Sequence, residues 1–175
     1  MKQPLKICIV GCGRVAQSHG EGALASNGAV EITAIVSRSD DKRNAFMKKF
    51  NVPNVYADID EALASGTFDA VDICLPNHLH TQYAIKCAFA GKHILLEKPM
   101  ANTVAECELI NEACRKNGVT LMIGQSRRYH EAVMLSKKLY DEGKIGEVIS
   151  VTGTLMGYLA TPPTEWWRSS EKAGG

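Results

Sequence analysis

Two glycines and an alanine, Gly11-x-Gly13-x-x-Ala16, have the spacing of a turn that binds a dinucleotide pyrophosphate. Gly11 permits the tight turn out of a strand, and Gly13 lets backbone N–H groups approach the phosphates. Ala16 lets the following helix sit close to the sheet. Unpaired N–H donors at the helix start, Arg14 and Val15 among them, then face the anion at the positive end of the helix dipole. Lys98, between Glu97 and Pro99 after an apolar run, is the leading candidate for proton transfer. An amine beside a nicotinamide ring is suited to exchange a proton with a substrate hydroxyl while hydride moves. His78 and His80 fall at the start of a helix, and His80 is the better placed to meet ribose or substrate. His19, His93 and His130 read as structural or solvent-facing. A histidine-based metal site lacks spacing and acidic partners, so no metal is expected. Cys12 is the one cysteine set at a helix N-terminus, where a thiolate would be favoured.

The elements that must position these groups alternate strand and helix. Leu5 to Val10 is a short apolar run of the kind buried on both faces of a parallel sheet. A helix over about 14–26 leads to a strand at Val30–Val36, and a helix at Asp41–Phe50 follows. The run 52–57 contains Pro53, which assigns it to an edge or entry strand. Asp58 is the expected N-cap of a helix through Ala64, and Ala70–Leu75 is the next buried strand. Asn77 is expected to cap a helix from His78 to Ala90. A strand at His93–Leu96, a capping box at Thr103-x-x-Glu106 opening the helix Val104–Lys116, and a strand at Val119–Ile123 complete the pattern. This is an α/β chain with a doubly wound parallel sheet of the Rossmann kind. Ligands of such sheets bind beyond the carboxyl ends of the strands. That rule selects the Gly11 loop, Ser37-Arg38, Pro76 to His80, Glu97 to Pro99, and Gly124 to Arg128 as one ligand face.

At the end of the second strand, Ser37 and Arg38 stand where an acidic residue would accept from a ribose 2′-OH. A hydroxyl and a guanidinium suit a 2′-phosphate, so the reading leans to NADP, with NAD the rival.

Twenty Lys/Arg against nineteen Asp/Glu leave a formal charge of +1, which excludes the electrostatic footprint of a nucleic-acid binder. No apolar run is long enough for a signal peptide or a membrane span. Six cysteines without a C-x-x-C read as reduced thiols, and the expected location is cytoplasmic. Beyond the sheet, a helix over Glu131–Glu142 and a long strand over 147–158 precede Trp166-Trp167-Arg168. Residues 1–123 are therefore expected to form the dinucleotide-binding domain. Residues 124–175 are expected to open a second, truncated α+β domain for substrate and oligomer contacts.

The chain resembles the glucose-fructose oxidoreductase/inositol dehydrogenase (Gfo/Idh/MocA) family. The resemblance rests on Gly11 to His19, Leu75-Pro76-Asn77-His78-Leu79-His80, Gly91 to Pro99 with its Glu97-Lys98-Pro99, and Gly124-Gln125-Ser126-Arg127-Arg128-Tyr129. It implies an NAD(P)-dependent oxidoreductase passing hydride between nicotinamide and a secondary alcohol or ketone of a sugar, cyclitol or related polyol. By the same resemblance, Gly11, Gly13 and Ala16 hold the pyrophosphate, and Ser37 and Arg38 meet the adenosine ribose. Asn77, His80 and Glu97, with Leu75 where members often carry Thr, line the nicotinamide end. Lys98 is the family's catalytic lysine, on a backbone shaped by a cis bond to Pro99. Gln125 belongs to the fourth motif, and Arg128 and Arg168 resemble positions that hold cofactor or substrate. A homo-oligomer is implied where the second domain is present. The alternative is a non-catalytic nucleotide-binding module, or a fragment lacking its substrate domain.

Overall fold

The computed structural model describes residues 3–154, 156–157, 161–162 and 164–174. Six parallel strands are ordered β3-β2-β1-β4-β5-β6. They are β1 (Leu5–Val10), β2 (Val30–Val36), β3 (Asn54–Tyr56), β4 (Ala70–Ile73), β5 (His93–Leu96) and β6 (Leu121–Ile123). Side chains of a strand alternate between faces, and β1 divides accordingly. Ile7 and Ile9 enter one core with Ile32, Ile35, Phe46 and Phe50. Cys8 and Val10 enter the other with Val36, Val71, Ile73, Leu96 and Ile110. Helices α1 (Arg14–Ala25) and α2 (Asp40–Phe50) cover the first face through Ala16, Phe46 and Phe50. Helices α3 (Ile59–Ala64), α4 (His80–Phe89) and α5 (Val104–Lys116) cover the second through Ala62, Ala84 and Ala113. Strand order reverses between β1 and β4, and that switch point opens a crevice at the carboxyl ends of the strands.

Local signals act as their chemistry dictates. Ser39 caps α2 by accepting from the Lys42 N–H, and Asp58 caps α3 by accepting from the Asp60 N–H. Both bonds of the Thr103–Glu106 capping box are present on α5. The proline-containing segment supplies the edge strand β3. Asn77 departs from expectation. It opens a 3-10 turn, Asn77–Leu79, before α4 and caps nothing; its Nδ2 donates to the Ala173 carbonyl at 2.8 Å.

Beyond β6, α6 (Glu131–Asp141) forms with Gly143 just past its end. The long strand expected over 147–158 is corrected: residues 147–154, 156 and 157 hold no strand, and Leu155 and Tyr158 lie outside the described residues. A strand exists only by pairing, and among the described residues no strand pairs with that run. A 3-10 turn at Glu165–Arg168 and the short α7 (Ser170–Ala173) instead return to the sheet's ligand end. There Asn102 Nδ2 also donates to the Glu171 carbonyl at 3.0 Å.

Candidate functional site

The crevice at the switch point is a cleft of about 820 Å³. Its floor is the Gly11–Val15 loop. Gly11 has φ +95, and a Cβ there would stand 2.6 Å from the Cys74 carbonyl oxygen, so the β1 and β4 ends touch backbone to backbone. Gly13 is exposed, and a Cβ there would meet nothing within 4 Å. No side chain caps α1 at Gly13, and no acidic residue lies in its first turn. The N–H groups of that turn are left for an anionic partner, which fits a diphosphate. Ala16 is buried beneath the loop among Ile9 and Cys12, spacing helix from strand rather than lining the cleft.

Ser37 and Arg38 line the β2 end of the cleft, with Ser39 and Lys42 beside them. Arg43, which sequence reasoning passed over, donates from Nη1 to the Ser37 carbonyl at 2.6 Å and pairs with Asp40. It fixes the loop and leaves Arg38 and Lys42 as cations without a described acidic partner. At the β4 and β5 ends, Leu75, Asn77, Glu97 and Lys98 line the opposite wall. Lys98 is exposed, the Lys98–Pro99 bond is cis, and the Lys98 amine has no hydrogen-bond partner among the described residues. Thr164, Glu165, Trp166 and Trp167 close the remaining side. The tryptophans meet edge to face with ring centroids 6.0 Å apart.

Four expected residues lie elsewhere. His80 is fully buried, with Nδ1 2.8 Å from the Pro99 carbonyl and Nε2 2.9 Å from that of Leu75. It therefore braces the two loops that carry the wall and does not line the cleft. Its burial follows from helical spacing with Ala84, Cys87 and Ala88 on one stripe. Gln125 and Arg128 are exposed and outside the lining, because β6 lies two strands away from β4. Arg168 is outside the lining as well and pairs at 3.7 Å with Glu165, which lines the cleft.

Cys12 is corrected too. It is buried, and burial pushes its thiol up to about 11, so no thiolate forms at the loop. His19 is the residue that sequence reasoning missed. Its Nδ1 lies 2.8 and 3.0 Å from the Asp72 carboxylate oxygens and 3.5 Å from Cys74 Sγ. Its Nε2 lies 3.2 Å from Glu97 Oε1. The expectation that a histidine-based metal site would lack acidic partners is thus overturned for His19. His19, Asp72 and Cys74 are also a described trio whose donor atoms lie within 4.8 Å of one another. The Nδ1–Oδ2 distance is that of a charge-assisted hydrogen bond, and the trio is satisfied as an ion pair. Asp72 is only 3% exposed, and a buried carboxylate requires such a partner.

Hydrogen bonds to Asp72, then to Cys74 and Glu97, push His19 up to about 12 against the opposing effect of burial. Burial alone would raise the Glu97 carboxyl, but the His19 hydrogen bond and charge, with the Lys98 N–H, hold it below the usual range. Burial raises the Cys74 thiol to about 12. The raised His19 value stabilises the fold fully below the unfolded pKa of about 6.5 and loses that contribution as pH rises toward the folded value. From about pH 6.5 to 7.5, below the range in which unfolded thiols ionise, the native state keeps a His19 proton that the unfolded chain loses, so unfolding free energy should fall by up to about 1.4 kcal/mol per pH unit. Urea titrations across that window should show the slope in the wild type and its loss in His19→Gln.

Parallel strand order, a glycine turn at the switch point and an uncapped helix start define a dinucleotide-binding α/β protein. The family model of Gfo/Idh/MocA, an oxidoreductase family with an NAD-binding Rossmann fold, matches residues 5–125, and the chain belongs to that family. It is 32% identical over 126 residues to 4-carboxy-2-hydroxymuconate-6-semialdehyde dehydrogenase of Sphingobium sp., covering 72% of this chain and 40% of that protein. It is 32% identical over 178 residues to D-xylose 1-dehydrogenase (NADP(+)) of Haloarcula marismortui, covering 98% and 49%. The crystal structure of apo scyllo-inositol dehydrogenase from Lactobacillus casei superposes with a TM-score of 0.78 at 28% identity, over 84% of this chain and 44% of that one. The chain spans about half the length, or less, of these relatives. No described helix is long and apolar enough to cross a membrane.

Proposed function

We propose that this chain carries the cofactor half of an NAD(P)-dependent oxidoreductase acting on a secondary alcohol or ketone of a sugar, cyclitol or related polyol. The observation that carries the reading is one cleft lined by both the open N-terminus of α1 and Lys98, whose amine has no partner among the described residues. Relatives named for D-xylose and scyllo-inositol support the substrate class. Bound in the cleft, the nicotinamide would supply the hydride donor or acceptor. The chain's own residues do the rest. First-turn N–H groups and Gly13 seat the diphosphate, and Arg38 with Lys42 meets the adenosine ribose. Asn77 and Glu97 flank the ring end, and Lys98 Nζ holds the proton exchanged with the substrate oxygen. Residues 124–175 would open the substrate and oligomer domain. Exposed Val133, Met134, Leu135 and Tyr140 on α6 support that reading, since such a patch calls for a covering partner. Six free cysteines support a reducing, cytoplasmic setting.

The test is reduction of NADP⁺ and NAD⁺ in the presence of a panel of pentoses and inositols, followed at the nicotinamide absorbance. Turnover with any member supports the reading, and nucleotide binding without turnover across the panel favours the binding-module alternative. For the cofactor, no carboxylate from the β2–α2 segment lines the cleft among the described residues. NADPH should therefore bind more tightly than NADH. Reversing one charge with Arg38→Asp should weaken NADPH by roughly 10- to 100-fold, the range of a charge-assisted contact, and leave NADH little changed. Fluorescence titration of both nucleotides measures the ratio.

A further inference from the structure

We infer that His19 is a positioning residue, a bridge that couples the helix under the nucleotide loop to the turn that presents Lys98. The inference rests on the reading of Lys98 as the proton-transfer residue. His19 sits on the second turn of α1, six positions past Gly13, and does not itself line the cleft. Both of its ring nitrogens face carboxylate oxygens, Nδ1 toward Asp72 on β4 and Nε2 toward Glu97 at the end of β5. Ionised carboxylates only accept, so both ring nitrogens must donate, and the bridge is an imidazolium. Glu97 uses its second oxygen, Oε2, to accept the Lys98 N–H at 3.0 Å. The backbone of Glu97 is itself fixed by donation to the Ile73 carbonyl at 3.1 Å, and Gly124 packs with its Cβ position 3.0 Å from Oε1. The path from α1 to Lys98 is therefore a run of direct contacts: His19, the Glu97 carboxylate, the Lys98 amide. Asp72 anchors the bridge to the sheet, and Cys74, the remaining titratable group against the ring, is a half-buried thiol whose burial holds it neutral. An imidazolium between two carboxylates donates to both, whereas a neutral imidazole, with a single N–H, could donate to only one.

The bridge can be read without turnover. In the wild-type chain, the ¹⁵N shifts of His19 should be those of a doubly protonated ring at about pH 8, well above the ordinary histidine range. A neutral ring at that pH would overturn the proposal. So would stoichiometric zinc binding that His19→Gln abolishes, because the trio would then be a metal site. Because His19→Gln alone strands the buried Asp72 carboxylate, the double variant His19→Gln/Asp72→Asn is the functional probe. Its neutral pair keeps a hydrogen bond and the fold, checked by thermal melting. NADPH affinity should stay within about threefold, since neither residue lines the cleft. Acetylation of the Lys98 amine by acetic anhydride, read by mass spectrometry with and without saturating NADPH, should lose most of the nucleotide's protection, a shift of roughly tenfold. Unchanged protection in the folded double variant would overturn the positioning role. Failure of the wild type to oxidise any polyol would instead count against the dehydrogenase reading, and the ¹⁵N result would stand apart from it.

Discussion

Gly11→Ala should lose about 3 kcal/mol or more of stability and unfold at far lower urea than the wild type, as expected where a strained backbone meets a core clash. At φ +95 an alanine is already disfavoured, and its Cβ would lie 2.6 Å from Cys74 O and 3.1 Å from Cys74 C. Those are backbone atoms, so no rotamer change relieves the contact. Movement of the backbone is blocked as well. The Cys74 N–H donates to Val10 O at 2.8 Å, and the Gly11 N–H donates to Val36 O at 2.8 Å, tying β1 to both its neighbours. The gain from restricting the unfolded chain is under about 1 kcal/mol and does not offset this. Equal urea midpoints for variant and wild type would mean that β1 and β4 do not meet at this residue.

Lys98→Ala should lower turnover by about 10²- to 10⁴-fold, the range of general acid–base catalysis, while nucleotide affinity changes little. The side chain is exposed, lines the cleft and makes no hydrogen bond through its amine among the described residues, so its removal takes nothing from the core. Single-turnover and steady-state rates, beside a nucleotide titration of the same preparation, separate the two effects. Loss of nucleotide affinity matching the loss of rate would assign Lys98 to binding instead.

The order of the elements was legible because the parallel sheet buries the centres of β1, β2 and β4 on both faces, leaving short apolar runs such as Ile7 to Val10. Caps at Asp58 and Thr103 marked helix starts through local hydrogen bonds that need no tertiary context. The cleft's floor was legible for the same reason, since Gly11 and Gly13 act through backbone geometry. Side-chain orientation was not. His80 turned into the core and His19 toward Asp72 and Glu97 because a histidine's direction depends on which helical stripe faces the core. One sign could have been read: Asp72 interrupts the run Ala70-Val71-Asp72-Ile73, and a carboxylate in a doubly covered strand demands a cation. The closing of the cleft by Thr164 to Trp167, and the absence of strand over the described part of 147–158, depend on long-range partners that local pattern does not encode.

The central claim is that main-chain donors at the start of α1 hold a dinucleotide, and fluorescence titration of NADPH into the wild type and Gly13→Val tests it most directly. Gly13 has φ −80 and ψ −171, an extended backbone open to any residue, and its Cβ position is clear of neighbours. The variant should melt like the wild type yet bind NADPH at least about tenfold more weakly, because the added side chain fills the approach of the phosphates. Saturable wild-type binding with that loss is the predicted result. A folded Gly13→Val protein that binds NADPH as tightly as the wild type, or a wild type that binds neither NADPH nor NADH, would contradict it.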